Sequence, residues 1–313
     1  MALARLSALN GHRVRIWCRE EDRPDQLRTT RQSAFYLPGV LLPESVEVAR
    51  EVDPDVDMAV LAVPSHAMRE VVCTHEFARN TVRVSVAKGI ENDTLLRMSQ
   101  VIEEVSGPCK VAVLSGPSHA EEVARDLPAS VAVAARDIET AAGVQRALMN
   151  DRFRVYTATD VIGTELGGSL KNVIAIAAGA CDGLELGDNA KAALITRGLA
   201  EISRLGVALG AEPLTFAGLS GMGDLIVTCC SAHSRNRALG EHMAKGMTLE
   251  DATSGSRMVA EGVRTTRSAR ALSQKTGVDM PITEQVYHVL FEAGTPHQAL
   301  DNLMKRTAKK ERA

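Results

Sequence analysis

Lys171 lies in the run Glu165-Leu-Gly-Gly-Ser-Leu-Lys-Asn-Val-Ile-Ala-Ile-Ala-Ala-Gly179, whose small and aliphatic residues can pack on every side of a helix. A lysine in such surroundings has two readings. It can lay its stem along apolar surface and keep the ammonium in water. Alternatively it is held in an apolar pocket, where burial disfavours the charged form and brings the amine toward proton exchange near neutral pH. The run alone leaves both open. A second group, Ser234-Arg235-Asn236-Arg237, sets a hydroxyl, guanidinium groups and an amide at the start of a helical pattern. A phosphate suits that combination, because a helix N-terminus and arginine both favour a dianion. A solvent-facing cap flanked by surface arginines fits the same residues.

Four more polar groups follow strand-like runs: Trp17-Cys18-Arg19, Pro64-Ser65-His66, Ala87-Lys88-Gly89 and Ser115-Gly116-Pro117-Ser118. Ligands of open α/β sheets bind at the carboxyl ends of the strands, so the shared position counts for more than any one group. Arg19 stands where many NAD enzymes carry a carboxylate for the adenosine ribose. It suits a 2′-phosphate, and NADP is expected to be accepted. Gly116 permits close approach of backbone to a ligand. Gly218-Leu-Ser-Gly-Met222 falls one residue short of a nucleophile elbow: Met222 occupies the last glycine position and no strand precedes it, which excludes a serine hydrolase. His119, His233 and His242 lack metal-ligand spacing, and no metal is expected.

Two kinds of element must position these groups. Arg13 to Cys18, Val56 to Val63, Val82 to Ala87, Lys110 to Leu114, Val131 to Ala135 and Arg152 to Thr157 read as strands, short and mostly Val-rich. Helical patterns lie between them over Ser65 to Val72, Asn92 to Glu104 (with N-cap candidates in Asn92-Asp93-Thr94) and Ile138 to Met149. Strands alternating with helices predict a doubly wound, Rossmann-like α/β domain over residues 1–160. Beyond about Asp160 the strand signal stops. Helical patterns over 162–181, 189–210, 236–245, 265–275, 283–293 and 296–306 predict an all-α substrate and catalytic domain over residues 161–313.

Bulk composition narrows the function. A formal net charge of −3 gives no global positive field for nucleic acid, and one Trp, three Tyr and five Phe are too few for a base-stacking surface. The six cysteines show no Cys-x-x-Cys spacing and read as core residues in a reducing compartment. No charge-free apolar run reaches a membrane span, so a cytoplasmic protein is expected.

The segments Gly11-His-Arg-Val-Arg-Ile-Trp17, Tyr36-Leu-Pro-Gly-Val40, Val86-Ala-Lys-Gly-Ile90 and Leu114-Ser-Gly-Pro-Ser118 carry a resemblance. So do Glu165 to Val173, Gly187-Asp-Asn-Ala-Lys191, Gly223-Asp-Leu-Ile-Val-Thr-Cys229, Ser234 to Arg237, Val259-Ala-Glu-Gly262 and Met280-Pro-Ile-Thr283. In this order they resemble bacterial NAD(P)-dependent glycerol-3-phosphate dehydrogenase over essentially the whole chain. The resemblance implies interconversion of dihydroxyacetone phosphate and sn-glycerol 3-phosphate with NADPH/NADP or NADH/NAD, feeding glycerophospholipid synthesis, by a homodimer. It implies that Lys171 is the general acid and base on the C2 oxygen. Lys88, Gly116, Ser118, Lys171, Asp224, Ser234, Arg235 and Asn236 would line the substrate site. Arg19, Lys88, Ala120, Arg235, Val259 and Glu261 would contact the cofactor.

One departure bears on activity. Family members place a strand and a Gly-x-Gly-x-x-Gly turn before the helix on which this sequence opens, about 15–20 residues in all. Without them the sheet is expected to have a gap flanked by unpaired edges, and dinucleotide binding is expected to suffer. Two alternatives stand beside this reading: another β-hydroxyacid-type dehydrogenase acting on a non-phosphorylated substrate, or a phosphometabolite-binding homologue made catalytically silent by the missing loop.

Overall fold

In the computed structural model, residues 1–253, 261–308 and 310–311 are described. Contacts divide the chain into two units. The first comprises Met1–Val63, Ala67–Val86 and Ser99–Val161; the second comprises Pro64–His66, Ala87–Met98 and the chain from Ile162. Two short segments that follow strands thus go with the helical unit, and they carry Ser65 and Lys88.

The first unit holds seven strands, β1 (Val14–Ile16), β2 (Val46–Val48), β3 (Met58–Leu61), β4 (Val82–Ser85), β5 (Lys110–Ser115), β6 (Ala129–Ala135) and β7 (Phe153–Ala158). Around them lie α1 (Ala2–Leu9), α2 (Pro24–Thr30), α3 (Met68–Thr74), α4 (Met98–Ser106), α5 (Ala120–Val123) and α6 (Ile138–Leu148). β3 to β7 pair in sequence order. Every pairing is parallel except that of β5 with β6, which is antiparallel, Ser115 facing Ala132. β1 and β2 form a separate parallel pair. Among the described residues no ladder joins the two sheets. The Val-rich runs bury Val84, Ala112, Leu114, Val131, Val133 and Val155 against Leu6, Val144 and Leu148 of the helices. A strand covered by helices needs apolar residues on both faces, and these runs supply them. Asp137 caps α6 by accepting from the backbone N–H groups of Glu139 and Thr140.

One predicted helix is displaced. The pattern over 92–104 begins only at Met98. Leu95 has φ +61°, which a helix does not accommodate, and Ile90 bridges back to Arg97. Asn92 lies six residues ahead of that helix, and its side-chain oxygen accepts from the Ser268 hydroxyl. β2 escapes the sequence reading because Val-Glu-Val is too short for alternation to register.

The second unit contains α7 (Val161–Gly183), α8 (Gly187–Ala208), α9 (Asp224–Cys230), α10 (Arg235–Ala244), α11 (Leu249–Thr253), α12 (Glu261–Thr276), α13 (Pro281–Phe291) and α14 (Pro296–Met304). α7 is apolar on all sides and buried through nearly all of Gly163 to Gly179, as a central helix should be. Its Leu166, Leu170, Val173 and Ile174 pack with Ile202, Leu205, Phe216, Leu225 and Leu239 of the surrounding segments. α7 and α10 touch backbone to backbone. A Cβ on Gly179 would lie 1.8 Å from the Arg237 carbonyl oxygen, and one on Gly240 would lie 1.9 Å from that of Ile176. Only glycine fits this crossing, and the crossing sets where the first turn of α10 stands. No described helix is long and apolar enough to cross a membrane.

Candidate active site

The structure decides between the two readings of Lys171. Its helix is buried all round and the side chain goes inward: the residue is 5% exposed. The ammonium pairs with one carboxylate oxygen of Asp224 and donates to Thr228 Oγ1 at 2.7 Å. Asp224 and Thr228 stand one turn apart on α9 and so share a face. The Thr228 hydroxyl in turn donates to the Asp224 carbonyl at 2.6 Å. Lys88 donates to the other Asp224 carboxylate oxygen at 2.7 Å. A carboxylate that is 1% exposed is thus clamped between two lysines.

The electrostatics follow from that arrangement. Burial pushes the Lys171 amine down to about 7; the Asp224 carboxylate opposes the shift and the Lys88 ammonium adds to it. With every group ionised the three carry a net positive charge in a buried place. Release of one proton from Lys171 leaves the trio neutral, which burial favours. Such an amine is half protonated near neutral pH and can give or take a proton there.

A second chain of bonds runs beside the first. Asn172 donates to the Lys88 carbonyl at 3.3 Å, and its own oxygen accepts from Asn236 at 3.0 Å. The Asn236 oxygen accepts from the Gly262 N–H, again at 3.0 Å. Four segments are thereby tied together: the loop after β4, α7, α10 and the start of α12. Ser234 is the N-cap of α10, accepting from the Arg237 N–H at 3.2 Å. Arg235, the first residue of α10, is exposed. Arg237 is a correction to the expected basic cluster. Its guanidinium pairs with Asp182 at 3.0 Å and Glu241 at 3.3 Å, and Lys191 joins Asp182 at 2.8 Å. That network braces α7, α8 and α10 against one another and leaves Arg235 as the basic residue at the helix start.

The remaining expected site residues are placed as follows. Glu261 opens α12 and accepts two bonds from Ser65. In the first unit Arg19 lies three residues beyond β1 and pairs with Glu21 at 2.5 Å and Asp22 at 3.2 Å; the Tyr36 hydroxyl donates to the same Asp22 at 2.6 Å. Gly116 has φ +140°, and a Cβ there would meet Val131 Cα at 3.0 Å, so the close approach that this glycine permits is to β6. The Ser118 hydroxyl donates to the Gly116 carbonyl at 3.1 Å. Ala120 is the exposed first residue of α5. Val259 lies outside the described residues. Among the described residues no group of three His, Cys, Asp or Glu could hold a metal ion.

Comparison with known proteins bears on this arrangement. Residues 1–141 match the N-terminal family profile of NAD-dependent glycerol-3-phosphate dehydrogenase, and residues 160–301 match the C-terminal one. The chain belongs to the NAD-dependent glycerol-3-phosphate dehydrogenase family. It is 53% identical to the glycerol-3-phosphate dehydrogenase (NAD(P)+) of Pelotomaculum thermopropionicum, over 97% of this chain and 90% of that protein. It is 51% identical to the enzyme of the same name from Geobacillus thermodenitrificans, over 99% of this chain and 93% of the relative. Among solved structures, the glycerol-3-phosphate dehydrogenase of Coxiella burnetii superposes with a TM-score of 0.92 at 37% identity, covering 97% of this chain and 95% of its own.

Two residues of this candidate site escape the sequence reading. Thr228 stands four residues after Asp224, a spacing that marks a shared helix face once α9 is recognised. Asn172 adjoins Lys171 within the opening run, but nothing in its spacing announces a partner on α10. A part-buried ion pair, Arg97 with Glu165 at 2.5 Å, also goes unread, because its members lie 68 residues apart.

Proposed function

We propose that this chain interconverts dihydroxyacetone phosphate and sn-glycerol 3-phosphate with an NAD(P) cofactor, supplying glycerophospholipid synthesis. One observation carries the reading. A buried lysine, its amine pushed down to about 7 by burial and the nearby charge of a second lysine, is held by a carboxylate and a hydroxyl. A proton donor poised near neutral pH is what reversible reduction of a carbonyl to an alcohol requires.

The donor set suits a nicotinamide dinucleotide. Arg19 and Arg235 present guanidinium groups for phosphates, and the Glu261 carboxylate is an acceptor for hydroxyl or amide N–H donors. Lys88, Ala120 and Val259 would complete the contacts. When bound, the nicotinamide supplies or accepts the hydride at substrate C2.

This chain's own residues do the rest. Arg235, Asn236 and Ser234 at the start of α10 hold the substrate phosphate, which fixes the reacting carbon. Lys88 and Lys171 polarise the C2 oxygen, and Lys171 gives it a proton in reduction and removes one in oxidation. Asp224 fixes both ammonium groups, and Thr228 directs that of Lys171. The dinucleotide-binding domain spans residues 1–160 and the helical substrate and catalytic domain residues 161–313, in a cytoplasmic homodimer.

Initial rates of NADPH oxidation test the reading. Turnover with dihydroxyacetone phosphate is expected. Turnover of 3-oxo acids alone would point to a β-hydroxyacid-type enzyme, and glycerol 3-phosphate binding without NADPH binding to a silent homologue.

A further inference from the structure

Pro64-Ser65-His66 is the strand-end group to which the proposed mechanism gives no part, although its contacts place it with the helical unit. Ser65 is buried, and both of its donors go to one carboxylate. The hydroxyl donates to Glu261 Oε2 at 2.6 Å and the backbone N–H to Oε1 at 3.3 Å. A carboxylate gripped at both oxygens by one residue cannot rotate about its terminal torsion without breaking a charge-assisted bond. Each oxygen retains acceptor capacity, since an ionised carboxylate has about four lone-pair sites and Ser65 uses two. Gly89 makes the grip possible: a Cβ there would sit 2.3 Å from Ser65 Oγ and 3.2 Å from Glu261 Oε2. The loop that delivers Lys88 is therefore shaped, one residue later, around the Ser65–Glu261 pair.

We propose that Ser65 is a positioning residue that orients the Glu261 carboxylate to accept from ribose hydroxyl or carboxamide N–H donors of the nicotinamide dinucleotide, an inference that rests on the cofactor role proposed for Glu261. Ser65 acts through Glu261, so its effect belongs to cofactor affinity. Substrate affinity, set at α10, is untouched by it.

A double-mutant cycle on the full chain tests this, with NADPH Kd from fluorescence titration beside KM for both substrates and the thermal midpoint. Ser65→Ala is expected to raise NADPH Kd about three- to tenfold, the loss of one charge-assisted hydrogen bond, with KM for dihydroxyacetone phosphate unchanged. Gly89→Ala, which displaces the Ser65 hydroxyl, is expected to shift Kd the same way. In a Glu261→Ala background Ser65→Ala should add nothing. Unchanged Kd in Ser65→Ala while Glu261→Ala raises it would overturn the positioning role. So would an equal Ser65→Ala effect in both backgrounds, or a fall in thermal midpoint with both KM values moving together. If Glu261→Ala itself leaves Kd unchanged, the cofactor role of Glu261 fails, and the positioning role fails with it.

Discussion

A single proton separates the two working states of the Lys171 trio. Reduction of the carbonyl needs the ammonium, and oxidation of the alcohol needs the free amine. With the amine at about 7, kcat/KM for dihydroxyacetone phosphate should fall as pH rises through that value, and kcat/KM for glycerol 3-phosphate should rise. Parallel profiles in the two directions would contradict the assignment of Lys171 as the shared acid and base. The lysine itself is legible in the sequence, because a cation inside an apolar helical run is a local anomaly. Its partners are not. Asp224 lies 53 residues away, and Lys88 136 residues from Asp224, so the clamp exists only once the helical unit is packed. The basic run Ser234 to Arg237 shows the opposite failing: adjacency suggests one cluster, but successive helix positions point about 100° apart. Arg237 accordingly turns away to Asp182 while Arg235 stays exposed.

Elements carry the geometry that single residues cannot. The α7–α10 crossing at Gly179 and Gly240 brings Asn236 against Asn172, and through it to the Lys88 loop. Gly240→Ala should force the helices apart; a lower thermal midpoint together with a raised KM for dihydroxyacetone phosphate is expected, and a variant with wild-type values for both would refute the positioning role of this crossing. Glu201 of α8 is buried and caps α13, accepting from the Ile282 N–H at 2.6 Å and the Thr283 N–H at 3.2 Å. Burial pushes its carboxyl up to about 7 against the lowering effect of those bonds. The folded state therefore holds this proton after the unfolded chain has released it near 4.5, so the contribution of Glu201 to stability falls as pH rises from about 4.5 to about 7 and is flat above. Unfolding in urea across that window should show the wild type losing stability relative to Glu201→Gln; a constant difference would contradict the shifted carboxyl. Long helical runs, such as α7 and α8, are legible from the chain within a few residues. The segment 92–97 is not, because Leu95 takes a positive φ and the bridge from Ile90 to Arg97 competes with helix there.

At the scale of the whole molecule the alternation of strands and helices, followed by helices alone, foretells the architecture. It does not foretell that Ser65 and Lys88, which follow strands, keep company with the helical unit. Sequence order cannot carry that, since the deciding contacts are with α7, α9 and α12, far along the chain. The homodimer proposed here predicts a sedimentation-equilibrium mass near twice the 33.5 kDa of one chain; a mass of one chain would refute it. Everything in the catalytic proposal nevertheless converges on one amine. The most direct test is Lys171→Ala, assayed for turnover of dihydroxyacetone phosphate and, separately, for NADPH binding by titration. Turnover is expected to fall by about three orders of magnitude, the scale of losing a general acid, while NADPH Kd stays near that of the wild type. Turnover at the wild-type rate in that variant would contradict the account.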